Sequence, residues 1–316
     1  MAFRPTNGRA IGPATWKVRA FSAGVTLVGL CVYLNGLALP TSVAKAAPPD
    51  ATPPSSELVP SHGGTLVIGG GGDLPELVRD RFVELAGGPQ ARIIVIPTAH
   101  SVADRPEASA ALDPWMGKGA ASVRLLHTRS KEQANDSAFV QPLTEATGVW
   151  LGGGQQQKLT EAYLGTEVER QLKRLLDRGG VIGGSSAGAA VMTRVMITRG
   201  RMQADVGEGF DLLPGAVVDQ HFLKRNRLSR LLSVLSDHPD LVGLGIDEQT
   251  AVVFHVRSRL LSVIGDSFVI ACVPGSEDNP ARLEVLKSGD KIDLASLREA
   301  PEPGLTIAPA LGSGSP

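Results

Sequence analysis

From Thr65 onward, short β-rich runs alternate with helical patterns. "TLVIGG" is followed by "LPELVRDRFVELAG", and then come "RIIVIPT", "VRLLH", "GVWLGGG" and "VIGG". When a helix separates consecutive strands, the strands pair in parallel and the helices cover the sheet, so the alternation predicts an α/β three-layer sandwich with a mainly parallel sheet. The pattern "TEVERQLKRLLDRGG" fits this. Its Val168, Leu172, Leu175 and Leu176 share one helical face, and Gly179 falls where a C-cap is needed. Ligands of such sheets sit at the carboxyl ends of the strands. Three glycine-rich runs, at 69–73, 150–155 and 183–188, are expected along that rim.

The chain has 316 residues, 42% of them hydrophobic, with a formal net charge of −1, which suffices for one large core. No long basic run offers phosphates a surface, so a nucleic-acid partner is not expected. The N-terminus differs from the rest. Arg4, Arg9, Lys17 and Arg19 precede the uncharged "FSAGVTLVGLCVYLNGLALP", and small residues stand at Ala44 and Ala46. Basic, apolar and A-x-A segments in this order predict an export signal over 1–46, removed after Ala46; an uncleaved membrane anchor with the catalytic domain outside the cytoplasm is the alternative. No stable membrane partner is expected once the signal is cut. A Pro/Ser-rich tether over 47–62, one folded domain over 63–300 and a flexible tail over 301–316 complete the expected organisation. Cys31 lies in the signal, so Cys272 in "FVIACV" is alone in the mature chain and is expected to pack in the core.

The three glycine-rich ends carry different expectations. "GGGGD" has Leu74 at the third glycine position of G-x-G-x-x-G, which argues against a dinucleotide site and leaves a loop needing backbone freedom. "WLGGGQ" is either a plain turn or a set of main-chain donors, Gly153 and Gly154, beside the amide of Gln155. "GGSSAG" satisfies G-x-S-x-G with Ser186 at the elbow, the N–H of Ala187 placed for an oxyanion, and a helix following. A simple N-cap serine is the alternative there, so a base and an acid are required downstream.

Of six histidines, His62 lies in the tether, His100 and His127 at strand ends or loops, His238 in a helix-ending loop and His255 in a strand, while His221 ends a β-rich run, "AVVDQHF", that leads into a helix, "LKRNRLSRLLSVLSD". Glu248 follows another such run in "VGLGIDEQTA", where two carboxylates are available and one is needed to hold an imidazole Nδ1–H. The order nucleophile, histidine, acid differs from that of α/β-hydrolases. Asp205 and Glu208 are the fallback acids.

Together, "GGGQ", "GGSSAGA", "DQHF" with "RNRLSRLL", and "GIDEQTA" resemble serine-peptidase family S51, and within it the cyanophycinases, whose smaller relatives are aspartyl dipeptidases. The resemblance runs from about Gly63 to Leu294. It implies a fold like class I glutamine amidotransferases, with Ser186 as nucleophile, His221 as base and Glu248 as acid. It also implies a cyanophycin or β-aspartyl peptide substrate, contacted by Gln155, Asp219, Gln220, Arg225, Arg227 and Arg230. Arginine forks suit the carboxylates of such a substrate; alternatively, Arg227 and Arg230 are the solvated side of the helix whose apolar face is Leu228, Leu231, Leu232 and Leu235. The mechanism implied is acyl transfer, with Ala187 and Gly153 or Gly154 binding the oxyanion. No cofactor or metal is expected, since no histidine pair has ligand spacing, and a homodimer is left open. Two departures bear on substrate: the "GGGGDLPE" loop lacks the family's acidic-lysine pattern, and the segment between Met196 and Asp219 is short.

Overall fold

The structure, a computed structural model, describes residues 17–20, 63–275 and 281–298. The hydrophobic part of the expected leader, its cleavage point, the tether and the tail lie outside the described residues. An eight-stranded sheet runs in the order Lys291–Asp293, Leu260–Gly265, Thr250–His255, Thr65–Gly69, Val181–Ser185, Gly148–Leu151, Arg92–Ile96, Ser122–Leu125. The last five are mutually parallel, and the three at the other edge pair antiparallel. All five parallel strands point their carboxyl ends to one rim.

Alternation along Thr65–Gly69 shows how the sheet is covered. Leu66 and Ile68 face one core, and Val67 faces another with Phe82, Trp115 and Trp150. Helix Glu76–Leu85 closes the Val67 face through Val78, Phe82 and Val83. On the Leu66 face the amphipathic helix Glu167–Asp177 inserts Val168, Leu172, Leu175 and Leu176, and Gly179 adopts φ 87° just beyond it, as the sequence predicts.

The alternation of strands and helices did not announce a second sheet, which shares the Leu66 face with the helices. Its order is Lys17–Ala20, Arg282–Lys287, Phe268–Val273, Val242–Ile246, Ala216–Gln220. Ala216, Val218, Val242 and Leu244 enter the shared core, while Val217 and Cys272 turn to the far side, covered by helix Leu228–Asp237. Cys272 is fully buried there, and burial pushes its thiol pKa well above the usual value, so it packs as a small hydrophobe. Lys17–Ala20, which falls inside the expected leader, pairs in parallel with Arg282–Lys287. Among the described residues no helix is long and apolar enough to cross a membrane.

Candidate active site

Strands Ala216–Gln220 and Val242–Ile246 are parallel neighbours, so they deliver His221 and the 247–248 turn side by side. Val181–Ser185 of the large sheet delivers Ser186 opposite them. The Ser186 Oγ lies 2.9 Å from His221 Nε2, and His221 Nδ1 lies 2.6 Å from Glu248 Oε1. A carboxylate accepts, which fixes the proton on Nδ1 and leaves Nε2 to accept from the serine hydroxyl. Burial pulls the His221 pKa below the usual imidazole value; the bond to Glu248 works against this, and the Arg225 charge adds to the lowering. The neighbouring Asp247 turns elsewhere, accepting from the Lys224 N–H at 2.9 Å and the Ser267 hydroxyl at 2.8 Å. Asp205 is bound to Arg199 on an exposed hairpin that also carries Glu208, and neither joins the histidine.

Ser186 has φ 54° and ψ −110°, an uncommon backbone for a residue with a side chain, and His221 has φ 49°. Conformations of this kind cost on the order of 1–3 kcal/mol each and persist where surrounding structure enforces them. The enforcing structure is the "GGGG" loop. The Gly69 carbonyl accepts the Ser186 N–H at 3.1 Å, the Gly70 carbonyl accepts the His221 N–H at 2.7 Å, and the Gly71 carbonyl accepts the Gln249 N–H at 3.1 Å. Three successive carbonyls therefore tie down the three segments that bear the serine, the imidazole and the acid. A Cβ on Gly70 would overlap the Asp247 carbonyl, and one on Gly71, at φ 105°, would enter the His221 ring. Gly71 at φ 105° and Gly72 at φ 68° meet the expected need for backbone freedom, and close approach adds a second requirement at Gly70 and Gly71.

Beside Ser186, the N–H groups of Gly152 and Gln155 are spent on the Ile96 and Ala99 carbonyls at 2.9 Å. Those of Gly153, Gly154 and Ala187 engage no main-chain acceptor among the described residues. Gly153 packs close enough that an added Cβ would stand 3.6 Å from the Ser186 Cβ.

A cavity of about 720 Å3 adjoins Ser186 and is lined by Gln155, Gln220, Arg225, Arg227 and Arg230. Asp219 lies behind this cavity, fully buried. It accepts from Arg230 Nε at 2.6 Å, from Arg230 Nη2, and from Arg227 Nη1 at 3.3 Å. Arg230 is only 5% exposed, which overturns its reading as a solvated helix side. The helix also starts later than expected, at Leu228, so Arg225 stands on the turn before it, exposed at the cavity. Gln220 Oε1 is buried without a hydrogen-bond partner, an acceptor with capacity left in the cavity wall. Asp219 and Gln220 alternate along their strand, which could have signalled that only one of them faces the cavity.

Among the other described histidines, His100 lines a smaller cavity that also reaches Gly153 and Ser185, and three lie elsewhere. His127 bonds Asp104 and Thr98, His255 bonds Thr65, and His238 caps the end of Leu228–Asp237. Among the described residues no group of three or more His, Cys, Asp or Glu is arranged to hold a metal ion.

The family model described as peptidase family S51 matches residues 65–260. A protein named cyanophycinase from Geminocystis herdmanii is 35% identical over 247 residues, 74% of this chain and 88% of its own length. A second cyanophycinase, from a Nostoc species, is 35% identical over 256 residues, 72% of this chain and 85% of the relative. The solved structure of a peptidase from an acI-B1 Actinobacterium superposes with a TM-score of 0.59 at 24% identity, covering 74% of this chain and 98% of that one, which supports the fold.

Proposed function

The chain belongs to peptidase family S51, a family of serine-type peptidases, and on that premise we propose that it hydrolyses cyanophycin, a poly-aspartate bearing arginine on each β-carboxyl, to β-Asp-Arg dipeptides. Ser186 attacks the scissile carbonyl while its proton passes to His221 Nε2. The oxyanion that forms is held by the N–H of Ala187 and that of Gly153 or Gly154. The C–N bond then breaks, and His221 returns the proton to the leaving amine. Water, deprotonated by the same imidazole, releases the acyl group from Ser186. Glu248 keeps Nδ1 protonated and stabilises the imidazolium. A lowered His221 pKa keeps the base neutral, and so competent, around neutral pH.

The observation that carries this reading is the Ser186–His221–Glu248 chain standing beside a cavity whose charges match the substrate. Arg225, Arg227 and Arg230 suit the carboxylates of an aspartyl-arginyl unit, and the unpartnered Gln220 Oε1 suits a guanidinium N–H. Asp219 acts from behind by holding two of the arginines in place. The short segment between Met196 and Asp219 favours a second reading, a peptidase of small β-aspartyl peptides. Purified protein incubated with cyanophycin and with β-aspartyl dipeptides, with Ser186→Ala as control, tests both. Release of β-Asp-Arg by the wild type alone supports the first, and turnover of dipeptides alone supports the second. Loss of neither activity in Ser186→Ala would sink the mechanism.

The leader-like N-terminus supports export, with the catalytic domain acting outside the cytoplasm. N-terminal sequencing of the protein recovered outside its host cells should begin at Ala47; an intact N-terminus in the membrane fraction would favour the anchored form.

A further inference from the structure

The turn at Gly153 and Gly154 is pinned at both ends to one neighbouring segment. Gly152 gives its N–H to the Ile96 carbonyl and Gln155 gives its own to the Ala99 carbonyl, each at 2.9 Å. The stretch from 96 to 99 therefore sets where the two intervening N–H groups stand relative to Ser186. The fit is close on both sides. A Cβ added to Gly154, at φ 138°, would lie 2.2 Å from the Ala99 carbonyl oxygen, and one added to Gly153 would lie 3.5 Å from that of Ser185. Main chain at 99 cannot shift without carrying the turn toward the serine or away from it.

Ala99 lies beyond the strand Arg92–Ile96, outside its ladder, and side chains hold it. Arg129, from the segment after Ser122–Leu125, gives Nη1 to the Thr98 carbonyl and Nη2 to the His100 carbonyl at 3.3 Å. One guanidinium thus grips the carbonyls on either side of Ala99, whose own carbonyl is left to Gln155. Asp104 fixes the fork from behind, accepting from Nε at 3.1 and 3.2 Å and from Nη2 at 3.0 Å. The bonds from Arg129 and His127 hold the Asp104 pKa down to about 2, so the clamp stays ionised at neutral pH.

His127 links the same carboxylate to Thr98. Its Nε2 donates to Asp104 Oδ1 at 2.9 Å, which leaves Nδ1 to accept from the Thr98 hydroxyl at 2.8 Å. Hydroxyl, imidazole and carboxylate repeat the Ser186 arrangement in outline, but Thr98 is fully buried and its Oγ1 also lies 2.6 Å from the Tyr163 hydroxyl. No substrate carbonyl reaches that oxygen, so the repeat holds the turn at 97–104 and attacks nothing.

Building on the hydrolase reading above, we propose that Arg129, braced by Asp104, is a positioning residue for the oxyanion: it fixes Ala99, Ala99 fixes the turn at 152–155, and the turn sets the Gly153 and Gly154 N–H groups at the distance the tetrahedral oxygen requires. Arg129 lines neither of the cavities beside Ser186. Its effect is felt when the carbonyl oxygen takes up charge, so kcat depends on it and KM does not. Lysine is no substitute, because one ammonium cannot reproduce a planar fork across two carbonyls and a carboxylate.

The test compares Arg129→Ala, Arg129→Lys and Asp104→Asn with the wild type on cyanophycin, or on a β-aspartyl dipeptide if that alone is cleaved. The expected kcat is lower by about tenfold to a hundredfold in both Arg129 variants and by about fivefold in Asp104→Asn, with KM within about twofold. An aspartyl peptide aldehyde separates positioning from a general loss of stability. Ser186 adds to its C=O, and the tetrahedral oxygen that results takes the place of the oxyanion. Its inhibition constant should rise across the three variants by the factor by which kcat/KM falls, while calorimetric binding of the uncleaved substrate to Ser186→Ala stays the same when Arg129→Ala is added. Wild-type kcat in Arg129→Ala, or equal losses of aldehyde and substrate binding, overturns the assignment and leaves the hydrolase reading intact. Should Arg129→Ala not fold, Asp104→Asn, at a side chain 55% exposed, carries the same comparison. A wild type that cleaves none of these substrates overturns both.

Discussion

The two sheets contribute to the site in different currencies. The large parallel sheet supplies main chain: the strained elbow under Ser186, unengaged N–H groups at 153–154, and the three carbonyls of the glycine loop. The smaller sheet supplies side chains, His221 and Glu248, and the buried Asp219 with its two arginines. Main-chain donors and acceptors are fixed by the fold and need glycine so that partners can come close. Charged side chains on the other sheet must instead be desolvated and paired, so they depend on neighbours rather than on backbone path. The site should accordingly be broken on one sheet by adding a methyl group and on the other by changing one atom of a carboxylate.

Glu248→Gln breaks the comparison most severely. The amide cannot hold the Nδ1–H tautomer as a carboxylate does, so kcat should fall by about 10³ to 10⁴-fold at unchanged fold. Because the Glu248 bond raises the His221 pKa, what activity remains should have its acid limb displaced to lower pH in a kcat/KM profile. Next is Gly71→Ala, which should cost about a hundredfold or more in kcat as the new methyl displaces the His221 ring. Equal rates for the alanine variant would show that the loop merely fills space. Asp219→Asn leaves the buried Arg230 and the half-buried Arg227 facing a neutral amide. Stability should drop by about 3 kcal/mol in denaturant titrations, with KM rising more than kcat falls. The smallest effect belongs to Arg225→Gln. It removes a positive charge that lowers the His221 pKa, so the acid limb should move to higher pH, with the kcat plateau little changed and KM raised by the loss of a cavity-facing charge. A limb moving the other way would mean that Arg225 does not act on the imidazole.

The meeting of a hydroxyl, an imidazole and a carboxylate is legible because each ends a β-rich run, and strand ends of parallel sheets share a rim. Ser186, His221 and Glu248 could be picked out without knowing that two sheets were involved. The second sheet was not legible from alternation, because Val242–Ile246 and Phe268–Val273 are buried on both sides and read as apolar runs of either layer. The tie between the glycine loop and the active residues was hidden for another reason. Main-chain hydrogen bonds between segments more than a hundred residues apart leave no mark in side-chain identity, beyond a glycine whose purpose is then ambiguous. For Arg227 and Arg230 the sequence leaves a solvated face open beside a place at the cavity, because helical periodicity puts them opposite the leucines, while the hydropathy of a single helix says nothing of an aspartate on the adjoining strand. Trp115 carries no motif and Trp150 only opens "WLGGGQ", so their meeting follows from the packing against Phe82 alone.

The glycine loop near the start of the folded domain is useless until partners from far downstream reach it, among them His221, Gln249 and Thr250. Until that happens the chain holds Ser186 apart from the imidazole and carboxylate that meet it in the fold, so their constellation comes into being only with the closing of the last contacts between the two sheets.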